Sequence, residues 1–364
     1  MWTKTRFTER LGLRYPIVQG PFGGGYSTIE LASAVSNAGG LGSFGAHALT
    51  PAQIGEMVAA IRARTAQPFA INLWVPIPGE RELRFGDDFA DHVARLRPYY
   101  RDLGLPDPER PATVGQRFED QVAAVLEARP PVMSFVFGVP PAGVIAEAHA
   151  RGIAVVGTAI TVDEALALDR AGVDVIVASG TDAGGHRGAF LAPVEESLVG
   201  TFSLVPQVVD AVSVPVVAAG GIADGRGVAA AFALGASGVQ IGTAFLASHE
   251  SAAPAVHKAL LGEPASRRTA LTRVFSGRMA RGIVNRFMTD MRAQEPAVPP
   301  YPLQNWLMST IRKAAAADRS EYLALWAGQS AALAKRRPAE EVLRAIVADT
   351  DRVLGALDRG PAAR

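Results

Sequence analysis

One histidine of this chain lies in a loop whose composition suits an active site. The segment VIVASGTDAGGHRG begins with the apolar run Val175–Ala178 and continues into a glycine-rich loop that contains His186. A short apolar run that ends in turn residues is typical of a buried parallel strand, and glycine lets the backbone approach a ligand closely. Because imidazole changes charge near neutral pH, His186 is a candidate general base. Taken alone, the pattern fits an ordinary turn with a solvated histidine equally well.

The other five histidines and the nearest carboxylate give weaker signals. His47 follows an apolar run and is expected near the same mouth as His186. Four histidines fall in helical or peripheral contexts and are interpreted as surface residues: His92, His149, His249 and His257. Asp182, four residues before His186, could orient the imidazole or cap the loop.

Two glycine turns further along the chain indicate a phosphate site. Gly220 and Gly221 follow the apolar run Val216–Ala219, and Gly242 and Thr243 follow the next run, with one helical pattern between them. Unobstructed backbone N–H groups at a helix N-terminus suit a phosphate dianion. The alternative is that these glycines only let helices pack closely against strands.

Two polar side chains near the N-terminus could contact a flat ring. Gln19, Gly20 and Pro21 precede the glycine run 23–25, which offers room and backbone contacts. Asn72 ends the apolar run Phe69–Leu73, and a buried amide needs hydrogen-bond partners that the edge of a heteroaromatic ring would supply. A turn-forming asparagine is the alternative at this position.

The elements that must position these residues alternate regularly. Eight apolar runs are predicted as strands: Pro16–Gln19, Leu41–Phe44, Phe69–Leu73, Val132–Val136, Ala154–Gly157, Val175–Ala178, Val216–Ala219 and Val239–Gly242. Helical patterns separate them: Ile29–Ala38, Pro51–Arg64, Phe118–Ala128, Ala142–Arg151, Val162–Ala171, Leu204–Ala211 and Gly225–Leu234. Such alternation predicts an α/β fold, a closed (β/α)8 TIM barrel whose active site lies at the C-terminal ends of the strands. A doubly wound open sheet is less favoured, because no early GxGxxG occurs.

Two segments depart from the alternation. Residues 76–112 are charged, rich in proline and aromatic, and are interpreted as an insertion with a helix near Phe89–Arg101. After Thr243 the strand pattern stops. We therefore expect a barrel over residues 1–245, a helical lid or extension over its mouth at 246–335, and a C-terminal helix at 336–364 that packs on the barrel.

Composition excludes several classes of function. The net charge of +1 gives no electrostatic case for nucleic-acid binding, and the absence of cysteine excludes disulfides and cysteine nucleophiles. No signal peptide, membrane span, metal-ligand spacing, GxSxG or P-loop pattern is found, so we expect a cytoplasmic protein without a metal or membrane partner. The sequence leaves a homodimer open.

Six motifs occur in an order that resembles the nitronate monooxygenase (2-nitropropane dioxygenase) family, in the class with a histidine loop. They run from about Tyr15 to Asn285, with a weaker trace to Gly328-Gln329: PIVQGPFGGG, NLWVP, SFVFGVPP, GTDAGGHRG, AAGGIADGRGVAAAFALGASGVQIGTAFL and FSGRMARGIVN. The resemblance implies an FMN-dependent (β/α)8 barrel that oxidises alkyl nitronates with O₂ to a carbonyl compound and nitrite.

The resemblance also implies roles for individual residues. His186 would be the base that acts on neutral nitroalkanes. Gly220, Gly221, Gly242 and Thr243 would hold the FMN phosphate. The remaining cofactor contacts would come from Gln19, Gly20, Pro21, Asn72, Gly180, Gly185, Ala219 and Gln240.

Departures from the family pattern leave the substrate open. Asp182 replaces the usual glutamate, Phe22 a common methionine and Trp74 the usual phenylalanine. Backbone N–H groups of the glycine loop, Arg187 or the arginines of SGRMARG could stabilise a nitro group, although structural or surface ion pairing of these arginines is favoured. FMN-dependent NAD(P)H enoyl-acyl-carrier-protein or quinone reductases share the scaffold and remain alternatives, as does a flavin-binding protein without turnover.

Overall fold

Eight parallel strands close into a barrel in the computed structural model, which describes residues 2–112 and 114–358. The barrel strands, numbered with the other strands in chain order, are β1 (Ile17–Gln19), β2 (Gly42–Gly45), β3 (Phe69–Trp74), β4 (Val132–Val136), β5 (Ala154–Ala159), β6 (Val175–Ser179), β8 (Val216–Ala219) and β9 (Gly238–Ile241). Their order is β1-β9-β8-β6-β5-β4-β3-β2, and parallel pairing of Val18 with Leu41 closes the ring. The (β/α)8 barrel expected from the sequence is confirmed.

Helices follow the strands because the sequence supplies start and stop signals. Thr50 caps the helix that starts at Pro51 by accepting from the Gln53 N–H, and Gly172 ends another helix in the left-handed conformation. The helices are α1 (Arg6–Leu11), α2 (Ile29–Asn37), α3 (Pro51–Arg62), α4 (Phe89–Asp102), α5 (Phe118–Ala128), α6 (Ala142–Ala150), α7 (Val162–Ala171), α8 (Thr201–Ala211), α9 (Gly225–Ala233), α10 (Thr243–Leu246), α11 (Ala255–Leu260), α12 (Arg286–Asp290), α13 (Leu303–Ala315) and α14 (Ala339–Asp358).

A second, smaller sheet corrects the expectation that strands stop after Thr243. Three short strands form an antiparallel sheet in the order β10 (Thr269–Thr272), β11 (Ala280–Ile283) and β7 (Gly185–His186). The runs TALT and ARGI are too short and too polar to show the pattern of a buried strand, and their pairing partners are distant in sequence. This sheet connects the histidine loop of the barrel to the extension.

The insertion and the extension share a hydrophobic core of their own. Leu96 and Tyr100 from α4 are buried in one cluster with Phe287 from α12 and Leu307 from α13. The Tyr100 hydroxyl donates to the Leu307 carbonyl oxygen at 2.5 Å. Because the two segments bury each other's apolar surface, we expect them to order together over the barrel.

The last helix packs against the outside of the barrel. Helix α14 contacts α9 and α2, and Asp349 accepts a hydrogen bond from the N–H of Gly225, the first residue of α9, at 2.9 Å. A Cβ at Gly225 would lie 2.2 Å from the backbone nitrogen of Thr350, so glycine is required for this close approach. Among the described residues, no helix has the length and apolar character needed to cross a membrane.

Candidate active site

The residues singled out in the sequence lie around the C-terminal ends of the barrel strands. Gln19 ends β1, Asn72 lies near the end of β3, Gly180 follows β6, Ala219 ends β8 and Gln240 lies near the end of β9. The remaining predicted residues follow these strands or lie on β7: Gly20, Pro21, Gly185, His186, Gly220, Gly221, Gly242 and Thr243. The barrel thus brings the predicted set to one mouth, as parallel strands require.

Five glycines lie at this mouth and are here called the glycine floor: Gly20, Gly185, Gly220, Gly221 and Gly242. A Cβ on Gly185 would meet no atom within 4 Å, and one on Gly242 would meet only Phe22 at 3.9 Å. Gly220 and Gly221 have φ of 107° and 72°, which side chains rarely tolerate. The floor therefore combines open space with turns that only glycine adopts readily.

Three other predicted residues have contacts within the protein. The Gln19 Oε1 accepts from the Ser43 N–H at 3.0 Å, and the Asn72 Nδ2 donates to Ser134 Oγ at 3.1 Å. A Cβ on Gly180 would lie 2.1 Å from Thr201 Oγ1, so this glycine is required by packing rather than by ligand access.

Asp182 caps the loop rather than orienting His186. One of its carboxylate oxygens accepts from the Thr201 N–H at 2.7 Å and from the Thr201 hydroxyl at 2.8 Å. Thr201 is the first residue of α8, so the carboxylate satisfies a helix N–H that has no partner inside the helix. Of the two roles considered for Asp182, capping is the one that the geometry favours.

His186 is held between the barrel and the extension. It lies on β7, where it pairs with Ala280 of β11, and the N–H of the next residue, Arg187, donates to the Met279 carbonyl at 2.8 Å. Its Nε2 lies 2.9 Å from Ser276 Oγ. The strand pairing fixes the backbone of His186, and the contact with Ser276 fixes the orientation of its imidazole.

The hydrogen bonds of Ser276 favour one tautomer of His186. Ser276 Oγ also lies 3.1 Å from the Arg278 carbonyl oxygen, which can only accept. A hydroxyl has one proton, so both contacts are satisfied when Ser276 donates to this carbonyl and accepts from an Nε2–H of His186. His186 Nδ1 then carries the lone pair that can take a proton.

Four aromatic rings near the imidazole are here called the aromatic wall: Trp74, Phe137 and Trp326 lie next to His186, and Tyr301 lies next to Trp74. The Trp74 and Trp326 rings lie 5.1 and 5.4 Å from that of His186, both edge-on. Trp74 also stacks on His47 at 3.7 Å. Phe137 has a φ of 73°, a strained value for a residue other than glycine and one that is enriched at functional sites.

A buried ion pair lies within the aromatic wall. The Arg278 Nη2 donates to both carboxylate oxygens of Glu80, at 2.6 Å for Oε1, and the two side chains are 9% and 11% exposed. The Arg278 guanidinium carbon lies 3.8 Å from the ring centroid of Phe137 and 4.4 Å from that of Tyr301. The Nη1 atom is buried and has no hydrogen-bond partner among the described residues.

The other two candidate arginines have structural roles. Arg187 is buried and donates to the carbonyl oxygens of Gly180 at 2.7 Å and Ser179 at 2.6 Å, which fixes the end of β6. Arg281 donates to the Thr181 carbonyl at 2.9 Å. Neither is at the surface, and neither forms an ion pair among the described residues, so the expected surface or structural ion pairing does not hold for these two arginines.

Burial keeps the histidines of the site neutral. Loss of solvent, reinforced by the positive charge of Arg278, lowers the pKa of His186 to about 3. The same two causes lower the pKa of His47 to about 4. At neutral pH both imidazoles are uncharged, which is the form that a general base requires.

His257 is buried, which corrects the expectation that it is a surface residue. Its side chain is fully buried on α11, edge-on to Tyr26 at 6.1 Å, and burial lowers its pKa to about 4. Sequence context could not show this, because Tyr26, the ring that packs on His257, is more than 200 residues away in the chain. His149 and His249 are exposed, consistent with the surface interpretation, whereas the His92 side chain is only 12% exposed.

Several site residues escaped the sequence reasoning because they lie in the extension. Tyr301 and Trp326 carry no local sequence signal, and Ser276 and Arg278 stand out only as part of the SGRMARG motif. Gly328 donates its N–H to Thr243 Oγ1 at 3.0 Å, and Ser330 donates to the Gly221 carbonyl oxygen. The only signal for this closing segment was the faint family trace at Gly328-Gln329.

Among the described residues, no group of three His, Asp or Glu side chains could hold a metal ion.

A histidine beside a glycine floor and an aromatic wall, at the C-terminal ends of barrel strands, has the layout of an enzyme active site, and comparison with known proteins identifies the family. The family model described as nitronate monooxygenase matches residues 4–349. The chain belongs to this family, as the sequence motifs indicated.

Relatives and solved structures agree with this assignment. A probable nitronate monooxygenase of Staphylococcus aureus is 42% identical over 97% of this chain and 99% of its own length. A nitroalkane oxidase from Streptomyces ansochromogenes superposes with a TM-score of 0.87 at 38% identity, over 97% of this chain and 100% of that chain. FabK from Thermotoga maritima is more distant, with a TM-score of 0.76 at 30% identity over 98% of each chain.

Proposed function

We propose that this chain is an FMN-dependent nitronate monooxygenase that oxidises alkyl nitronates with O₂ to a carbonyl compound and nitrite. Neutral nitroalkanes would be oxidised after His186 removes the α-proton. The observation that carries the proposal is the neutral imidazole of His186, held 2.9 Å from Ser276 beside the glycine floor. A small organic substrate fits this pocket better than a macromolecule, because half-buried and buried side chains enclose the imidazole.

The glycine floor has the features that FMN requires. The left-handed turn at Gly220 and Gly221 and the open backbone at Gly242 and Thr243 suit the phosphate. The other residues that would hold FMN lie near the C-terminal ends of the barrel strands or on β7: Gln19, Gly20, Pro21, Asn72, Gly180, Gly185, Ala219 and Gln240. When bound, FMN would supply the electron acceptor for the nitronate and the site of reaction with O₂.

The side chains around the imidazole would control the proton. Ser276 holds the Nε2–H of His186, so Nδ1 would accept the α-proton of a nitroalkane. Aromatic rings exclude water from the imidazole and raise the strength of nearby electrostatic interactions. A nitronate has already lost this proton, so its oxidation should not depend on His186.

The test uses the purified, FMN-loaded protein. We expect O₂ consumption and nitrite formation with ethyl nitronate, and anaerobic bleaching of the flavin by ethyl nitronate but not by NADH or NADPH. Bleaching by a pyridine nucleotide without any response to nitronate would support the enoyl or quinone reductase alternative. A protein that cannot be loaded with FMN would contradict the cofactor assignment.

A further inference from the structure

We propose that Arg278 is a specificity-determining residue that binds the oxygens of the nitronate or nitro group through its Nη1. The proposal deepens the proposed function and rests on it. Nη1 is a buried cationic donor without a hydrogen-bond partner among the described residues, although the rest of the guanidinium is well engaged. An unmatched buried donor is costly, and a bound oxyanion would remove that cost.

The surroundings of Arg278 hold the guanidinium in place. Glu80 takes Nη2, while the rings of Phe137 and Tyr301 lie 3.8 and 4.4 Å from the guanidinium carbon. Gly277 lets Tyr301 approach, because a Cβ there would lie 2.4 Å from the Tyr301 backbone nitrogen. A fixed, desolvated guanidinium binds a planar oxyanion with little further loss of conformational freedom.

Arg278 and His186 share three neighbouring side chains. The Trp74 ring lies 5.1 Å from the His186 ring and 5.5 Å from the Arg278 guanidinium carbon, and Phe137 likewise contacts both. Ser276 contacts the His186 Nε2 and the Arg278 backbone. Because these neighbours are shared, we place the α-carbon of a nitroalkane at His186 and its nitro group at Arg278.

Charge balance explains how the pair would select a substrate. Arg278 attracts the nitronate anion, whereas the Glu80 carboxylate next to it repels that anion and limits the net charge of the pocket. Arg278 also disfavours protonation of His186, as its positive charge lowers the pKa of that imidazole. As His186 removes the α-proton of a nitroalkane, the negative charge that develops on the nitro oxygens at Arg278 would offset the charge of the guanidinium and stabilise the protonated imidazole.

The test measures binding and turnover in the FMN-loaded protein. Nitrate, a planar oxyanion, serves as the probe in calorimetry, and ethyl nitronate serves as the substrate. We expect Arg278→Met to weaken nitrate binding and raise KM by about tenfold or more, with a smaller change in kcat. Arg278→Lys should restore part of the loss. Arg273→Met is the control, because Arg273 pairs with Glu195 nearer the surface and should not change either value.

A second variant covers the case in which Arg278→Met fails to fold. Glu80→Gln keeps an oxygen acceptor for Arg278 but removes the repelling charge, so nitrate binding should become tighter. Unchanged nitrate binding and KM in a folded Arg278→Met protein, or weaker nitrate binding in a folded Glu80→Gln protein, would overturn the proposal. If the parent protein binds nitrate through Arg278 but does not oxidise ethyl nitronate, the proposed function is wrong. The anion-binding role of Arg278 is then still supported.

Discussion

The glycine floor and the aromatic wall offer different groups to a ligand. The floor presents backbone and open space from residues that follow the barrel strands. The wall presents rings and a buried ion pair contributed by β3, the loop after β4, the insertion and the extension. Backbone groups can hold a constant feature such as a phosphate, whereas side chains can change independently. We infer that the floor determines which cofactor is bound and the wall determines which substrate reacts.

His186 joins these two regions. It lies in a loop of the barrel, yet β7 pairs with β11 and its imidazole contacts Ser276. A change at His186 should therefore affect the chemistry without affecting the floor. The following experiments test this separation.

The largest effect is expected for His186→Gln. Loss of a general base should lower the turnover of neutral nitroethane by about a hundredfold to ten-thousandfold. Oxidation of ethyl nitronate and FMN binding should remain near those of the parent protein, because neither requires removal of a proton. O₂ consumption with each substrate measures this split.

The control for His186→Gln is His249→Gln at an exposed histidine, which should leave both activities unchanged. Equal losses with nitroethane and ethyl nitronate would argue against a role as base. Loss of FMN would show that the floor and the histidine are not separable.

The extension should be more sensitive to acid than its hydrophobic core suggests. Burial lowers the pKa of His257 from 6.5 to about 4, so the unfolded chain binds a proton that the folded protein excludes. The contribution of neutral His257 to the free energy of unfolding is therefore fully present above pH 6.5 and is lost as the pH falls from 6.5 towards 4. His257→Leu should reduce the difference in unfolding free energy between pH 7.5 and pH 5 by about 2 kcal/mol.

Urea unfolding at the two pH values measures this difference, and His249→Leu is the matched control. An unchanged pH dependence in His257→Leu would contradict the neutral, buried state of His257. A reduced dependence in both variants would point to a general effect of charge instead.

A moderate effect is expected for Ser276→Ala. Without the hydroxyl, the imidazole loses the partner that fixes its tautomer, and kcat for nitroethane should fall about tenfold, as for the loss of one hydrogen bond. Ethyl nitronate oxidation should change little. Ser266→Ala is the control, since Ser266 is equally buried in the extension and donates to the Glu263 carbonyl.

A comparable fall with nitroethane in Ser276→Ala and Ser266→Ala would indicate general loosening of the extension. A fall confined to Ser276→Ala, together with a shifted pH profile for nitroethane, would support the positioning role.

The two regions also differ in how far sequence could predict them. The barrel strands and the glycine turns were predictable because their signals are local: an apolar run, then glycine, then a helical pattern. Helix α4 of the insertion was predictable for the same reason, and Phe89–Asp102 matches the expected Phe89–Arg101.

The wall was not predictable because its contacts span long stretches of chain. Glu80 and Arg278 pair across 198 residues, and His186 and Ser276 meet across 90. The hydrophobic periodicity of a short segment cannot reveal contacts between residues so far apart in the chain. The strands β10 and β11 were not predictable for a related reason. They are defined by pairing with each other and with β7, not by an apolar run that the sequence would show.

The smallest effect on stability, and a test of the floor itself, is expected for Gly221→Ala. Gly221 and Gly152 both have a φ of 72°, so alanine at either position should cost about 1 kcal/mol of unfolding free energy. A Cβ at Gly152 meets no atom within 4 Å, whereas one at Gly221 lies 3.3 Å from Asp182 Cβ beside the proposed phosphate site. We expect only Gly221→Ala to weaken FMN binding, by about tenfold, as measured by fluorescence titration of the flavin-free protein. Equal FMN affinities in both variants would mean that this turn does not hold the phosphate, and the floor would then owe its glycines to packing alone.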